Sequence, residues 1–175
     1  MTHHTTHHKG AVTFKGNPLT LVGKMPEVGA QAPEAALIGN GLEKVVLSSF
    51  RGKVLILVTV PSLDTSVCDT ETRRFNVEAA GLGDGVQVLT VSMDLPFAQK
   101  RWCGAAGIDR VVTASDHRDA ALGRAYGVLI QELRLLARAV FVLDREGVIR
   151  YRQLVEEMTE EPDYEPVLAA ARGLV

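Results

Sequence analysis

No stretch of this sequence stays apolar for the ~20 residues that a membrane-spanning helix needs, and its N-terminus, MTHHTTHHKG, has no apolar core of the secretory-signal kind. A soluble chain in the cytoplasm is the expectation. Charge of one sign is equally scarce: 19 Lys and Arg against 21 Asp and Glu leave a net charge of −2. With a pI near 6.2, nothing marks a partner such as nucleic acid or an anionic membrane surface. Beyond positions 3, 4, 7 and 8, His117 is the only histidine. Ligands on a mobile terminus are not preorganised, so neither a fixed metal site nor a cofactor is expected. Cysteine is rare too, and Cys68 and Cys103 do not form a C-x-x-C pair. That spacing speaks against a zinc knuckle and against a thioredoxin-type redox motif. A structural disulfide is also a poor expectation in a reducing compartment.

What is present is an ordinary globular composition, 46% hydrophobic and 23% charged over 175 residues. Residues 1–10 are expected to be a disordered, histidine-rich terminus, and 11–175 one domain. AVTFKGNPLTLV alternates apolar and polar positions around Gly16-Asn17-Pro18, which predicts a β-hairpin. A weak strand is expected near Ala36-Ile38, with a turn at Gly39-Asn40-Gly41. The middle of the chain then repeats an apolar run, a loop and a stretch of helical spacing. The runs are Val54-Val60, Val86-Met93 and Val111-Ala114, and the helices are expected over 67–80, 96–104 and 117–126, stopped by Gly81, Gly104 and Gly127. Such alternation predicts β-α-β units around a buried, largely parallel sheet. RAVFVL and VIRYRQL flank Asp144-Arg145-Glu146-Gly147 as an antiparallel hairpin, and a last helix runs from Glu161-Pro162 to about Arg172.

The run VLILVTV reads as a central strand that Pro61 ends. Thr65 or Ser66 can cap the helix that follows, with Asp69 as a capping-box partner, and Cys68 falls in its first turn. Active sites of open α/β sheets gather at such strand ends. There, unpaired N–H groups and the helix dipole favour a thiolate. For a free cysteine, full ionisation multiplies the reactive form about thirty-fold, worth only ~2 kcal/mol of barrier. Thiolate supply alone therefore makes no efficient enzyme. Attack on a peroxide also puts charge on the departing oxygen, so donors must converge there. The candidates are the Cys68 N–H, the Thr65 hydroxyl and an arginine. Arg138 heads the apolar run AVFVL, where an unpartnered charge is costly; Arg73 is the alternative. Asp64, Asp69 and Glu71 add opposing negative charge. Phe97, Trp102 and Tyr126 either wall a pocket or belong to the core, and Asp94 and Gln99 read first as surface or capping residues.

PSLDTSVC resembles the peroxiredoxin motif P-x-x-x-T-x-x-C, with Pro61, Thr65 and Cys68 in register. SMDLPFAQKRWC, ending at Cys103, resembles the signature of the bacterial thiol peroxidase branch, and LARAVFVLD the segment carrying the family's arginine, Arg138. The resemblance implies an α/β, thioredoxin-like fold with a central mixed sheet flanked by helices and an added N-terminal β-hairpin. It implies that Cys68 reduces a hydroperoxide and becomes a sulfenic acid, that Cys103 resolves it as an intramolecular disulfide, and that thioredoxin restores the dithiol. A homodimer is implied as well. Two other functions compete: a general thiol-disulfide oxidoreductase, and a redox-sensing or binding module in which Cys68 oxidation remodels an interface.

Overall fold

The computed structural model describes residues 5–175 and contains two sheets. The chain opens with strands β1 (His7–Phe14) and β2 (Asn17–Val22), which form the expected hairpin with Phe14 opposite Asn17. Strand β1 begins earlier than the sequence suggested: it starts at His7, with His7 opposite Val22 and His8 opposite Leu21, so the disordered terminus expected over 1–10 is corrected at residues 7–10. Residues 1–4, including His3 and His4, lie outside the described residues.

Next come β3 (Ala36–Gly39), β4 (Lys44–Val46) and a 3-10 turn at Leu47–Phe50. The core then follows in alternation: β5 (Val54–Thr59), α1 (Ser66–Leu82), β6 (Val86–Ser92), α2 (Pro96–Ala106), β7 (Val111–Ser115) and α3 (Ala121–Ala125). Two-residue strands β8 (Leu129–Ile130) and β9 (Leu135–Leu136) precede β10 (Ala139–Leu143), β11 (Ile149–Leu154) and α4 (Tyr164–Arg172). The large sheet has the order β11-β10-β5-β6-β7-β3-β4 and the small one β1-β2-β8-β9. Only β5, β6 and β7 are mutually parallel, joined through α1 and α2; β10 and β3 run antiparallel on their flanks, so the sheet is mixed.

β5 shows why its run carries no polar alternation. Val54, Ile56 and Val58 enter one core with Phe75 and Ala79 of α1 and Val167 and Leu168 of α4. Leu55 and Leu57 enter the other, beneath the small sheet, with Leu21, Leu122, Ile130 and Phe141. Burying both faces of one strand stabilises the fold by roughly 1.5 to 3 kcal/mol per large side chain. α1 presents Cys68, Glu71, Thr72, Phe75 and Ala79 inward, a stripe at helical spacing.

Two of the three helix stops differ from expectation, while Gly127 (φ 66°) follows the end of α3 as expected. α1 runs through Gly81 and α2 through Gly104, and the terminating residues are Gly83 (φ 82°) and Gly107 (φ 66°). Both backbones take a positive φ, where a glycine loses least. α3 is shorter than the stretch 117–126, because the Asp116 carboxylate accepts from the N–H groups of Leu122 (3.2 Å) and Gly123 (2.8 Å) and starts the helix late.

Candidate active site

Pro61, buried, turns the chain out of β5, and Ser62-Leu63-Asp64 lead into α1. Asp94, just past the end of β6, holds this connection. Its Oδ1 accepts from the Ser62 hydroxyl (2.7 Å) and its Oδ2 from the Leu63 N–H (2.9 Å) and the Ser92 hydroxyl (2.7 Å). The parallel pairing of β5 with β6 brings those two strand ends together. Thr65 is the N-cap: its Oγ1 accepts from the Cys68 N–H at 3.3 Å and donates to the Ser62 carbonyl at 3.1 Å. Ser66 is the first helical residue, and Asp69 does not form a capping box. The Asp69 carboxylate instead accepts from Trp102 Nε1 and Arg73 Nε, each at 2.9 Å.

Cys68 is fully buried, and its sulfur lies 3.2 Å from Arg138 Nη1. The same nitrogen donates to Glu71 Oε2 at 2.6 Å, while Arg138 Nη2 donates to the Met158 carbonyl at 2.8 Å. Arg138 stands immediately before β10, next to β5, so the sheet aims the guanidinium under the first turn of α1. Of the two candidate arginines, Arg138 reaches the sulfur; Arg73 is exposed and turned to Asp69. Burial opposes the charge on Arg138 most strongly. The charges and hydrogen bonds of Glu71 and Cys68 together outweigh it and raise its pKa above the usual arginine value.

Glu71 lies near Cys68 as the sequence has it, paired with Arg138, but its burial was not read from the sequence. It reads there as a nearby negative charge, yet its side chain is fully buried, with Oε1 lacking a partner among the described residues. Burial pushes its carboxyl up to about 7, against the pull of Arg138 and with a smaller push from Glu161. The available signal was its position three residues after Cys68, on the same helix face.

Cys103 lies on α2, half-buried, with Sγ 3.5 Å from Thr113 Oγ1 on β7. Thr113 Oγ1 in turn donates to Asn40 Oδ1 at 3.1 Å, so its one hydrogen is used and the Cys103 thiol is the donor to it. Both cysteines are free. The structure thus gathers Pro61, Thr65, Cys68 and Arg138 at one strand end and leaves Cys103 apart, against β7. Tyr126 is core, donating its hydroxyl to the Pro33 carbonyl (2.8 Å), whereas Phe97 is exposed. Gln99, expected at the surface, is buried, and its Nε2 donates to Ser92 Oγ and to the Ala114 carbonyl, each at 2.9 Å.

The family pattern described as Redoxin matches residues 27–168. The chain belongs to the redoxin family. Within that family it stands with the thiol peroxidases of the peroxiredoxin group: it is 57% identical over 164 residues to "Thiol peroxidase" of Bacillus subtilis, covering 94% of this chain and 98% of the relative. The thiol peroxidase of Streptococcus pneumoniae is 53% identical, over 93% of this chain and 99% of the other. Among solved structures, a peroxiredoxin-like protein from Aquifex aeolicus superimposes with a TM-score of 0.88 at 48% identity, covering 96% and 99% of the two chains. A thiol peroxidase from Chromobacterium violaceum shares the redoxin fold at a TM-score of 0.82 and 21% identity, over 93% and 95%. The thioredoxin-like fold read from the sequence is that of this redoxin domain.

Proposed function

We propose that this chain is a thiol-dependent peroxidase in which Cys68 attacks a hydroperoxide. One thiol and one ROOH give a Cys68 sulfenic acid and ROH, with the thiol proton ending on the departing oxygen. The Cys103 thiol then condenses with the sulfenic acid, releasing water and leaving an intramolecular disulfide. A dithiol reductant of the thioredoxin class exchanges with that disulfide and returns both thiols. The observation that carries the reading is the Arg138 contact to the Cys68 sulfur: a fixed cation beside a buried sulfur at a helix N-terminus is a preorganised donor for an attacking thiolate and for the oxygen it displaces.

The Thr65 hydroxyl oxygen accepts from the Cys68 N–H. A peroxide oxygen arriving there takes the N–H, so capping and substrate binding share one donor. Pro61, buried just past β5, turns the chain toward the helix that carries Cys68. A cytoplasmic homodimer is part of this reading and rests on the resemblance to the bacterial thiol peroxidases alone.

Mixing reduced protein with one equivalent of hydrogen peroxide tests it. Consumption is expected without added metal, and intact mass should show the loss of two hydrogens with Cys68 and Cys103 in one linked peptide. Cys68→Ser should abolish consumption; Cys103→Ser should allow one turnover and then build up sulfenic and sulfinic acid at Cys68. Full activity in Cys68→Ser defeats the assignment.

A further inference from the structure

The two sulfurs are held toward different strands of the large sheet. Cys68 Sγ is bound by Arg138 at the head of β10, and Cys103 Sγ by Thr113 on β7. Between β10 and β7 lie β5 and β6, so three inter-strand spacings, about 14 Å, separate the anchoring strands. A disulfide requires sulfurs about 2 Å apart and Cα atoms within about 7 Å. One of the two helix ends must therefore leave its place before the bond can form.

One side-chain cluster ties the two ends together. Asp69 follows Cys68 directly, and Trp102 directly precedes Cys103. Trp102 Nε1 donates to Asp69 Oδ1 at 2.9 Å. The other carboxylate oxygen, Oδ2, takes Arg73 Nε at 2.9 Å, and the Arg73 guanidinium lies over the Trp102 ring, 5.8 Å from its centroid. Arg73 Nη1 also reaches the Ala106 carbonyl in the last turn of α2 at 3.4 Å. Unwinding either helix end carries Asp69 or Trp102 away with its neighbouring cysteine, and this cluster must then open.

We infer that the Asp69–Trp102 hydrogen bond, backed by Arg73, is a clasp that gates the resolving step: it keeps Cys68 in its pocket for peroxide attack, and its opening sets how fast Cys103 reaches the sulfenic acid. The inference rests on the Cys68–Cys103 pairing proposed above. Asp69, Arg73 and Trp102 are positioning residues, since none touches the sulfur or the peroxide. The clasp also fixes a competition, because a sulfenic acid that waits longer meets a second peroxide more often and becomes a sulfinic acid.

Trp102 is the only tryptophan, so its emission reports the clasp without interference. In stopped flow, the emission change is expected in the disulfide-forming phase and not in the peroxide phase, and that late phase should vanish in Cys103→Ser. Trp102→Phe keeps the ring and removes the donor. Losing one charge-assisted hydrogen bond should make disulfide formation about fivefold faster and lower sulfinic acid per turnover accordingly, with the peroxide rate constant unchanged. A merely structural tie between helices would lower the melting temperature and leave that partition unaltered. Asp69→Ala removes the acceptor from the other side, and the double variant should gain little beyond Asp69→Ala, since that change already removes the hydrogen bond Trp102 makes. An unchanged or slower resolving step in Trp102→Phe and in Asp69→Ala overturns the clasp alone, with the pairing intact. Failure of the unmodified protein to form any Cys68–Cys103 disulfide overturns the pairing and the clasp with it.

Discussion

Glu71 places a carboxylate where water does not reach, with one oxygen on Arg138 Nη1 at 2.6 Å and the other unmatched. Breaking such a pair leaves a buried charge alone, which is why charge-removing variants here differ in kind from surface ones. Its carboxyl, pushed up to about 7 by burial, keeps its proton in the folded chain over a range in which the unfolded chain, near 4.5, has lost it. The folded state thus binds more protons there. The contribution of this group to stability is complete below about pH 4.5 and is lost as pH rises through about 7. Glu71→Gln removes that titration. The urea midpoint of the variant, relative to the parent, should therefore move in the variant's favour between about pH 5 and about pH 8. A constant offset across that interval would mean that Glu71 ionises alike in both states. At this scale the sequence was partly legible. Cys68, Thr65 and Arg138 stand where their motifs put them, because each is tied to a strand or helix end. The burial of Glu71 was not legible, since it depends on a guanidinium 67 residues away.

Helices and strands divide by length in how openly they declare themselves. Long apolar runs such as Val54-Val60 produced β5 within one residue, because burial on both faces leaves no polar position to confuse the reading. Strands β8 and β9, two residues each, have no periodicity to detect and exist through pairing with β2 and with one another. The ends of α1 and α2 shifted for a local reason: Gly81 and Gly104 are tolerated inside the helices, while Gly83 and Gly107 take the positive φ that ends them. The β5–α1 connection shows the same dependence on distant partners, since Asp94, which reads as a surface or capping residue, fastens Ser62 and Leu63 from beyond β6. Asp94→Ala should free the loop that presents Cys68 and slow the peroxide step about tenfold, because misplacing a reacting group by about 1 Å costs up to a hundredfold. Asp94→Asn, which keeps one acceptor, should fall between. Stopped-flow peroxide kinetics that match the parent in Asp94→Ala would show that the loop needs no such fastening.

Across the whole molecule, the segment at 156–158 wires strand β1 of the small sheet to the site. Thr13 of β1 exchanges backbone hydrogen bonds with the chain at 156–158, its N–H going to the Glu156 carbonyl (2.6 Å) and its carbonyl accepting from the Met158 N–H (2.8 Å). Glu157 locks that join, accepting at Oε1 from the Gly16 N–H (2.8 Å) and the Thr13 hydroxyl (3.1 Å), and at Oε2 from the Thr159 N–H (2.8 Å) and hydroxyl (2.7 Å). These hydrogen bonds, from Thr159 first and then Gly16 and Thr13, hold its carboxyl down to about 2. The stabilisation is therefore present above the unfolded value near 4.5 and is lost only as pH falls through about 2. Met158, enclosed in this join, supplies the carbonyl that holds Arg138 Nη2. The N-terminal hairpin consequently steadies the arginine beneath Cys68 without touching it. Glu157→Ala should release the segment. The Met158 amide should exchange faster with deuterium, and the peroxide step should slow about threefold as Arg138 loses a fixed partner, in line with a modest coupling through one hydrogen bond. Faster exchange at Met158 with an unaltered peroxide rate would show that Glu71 alone is enough to hold Arg138 in place.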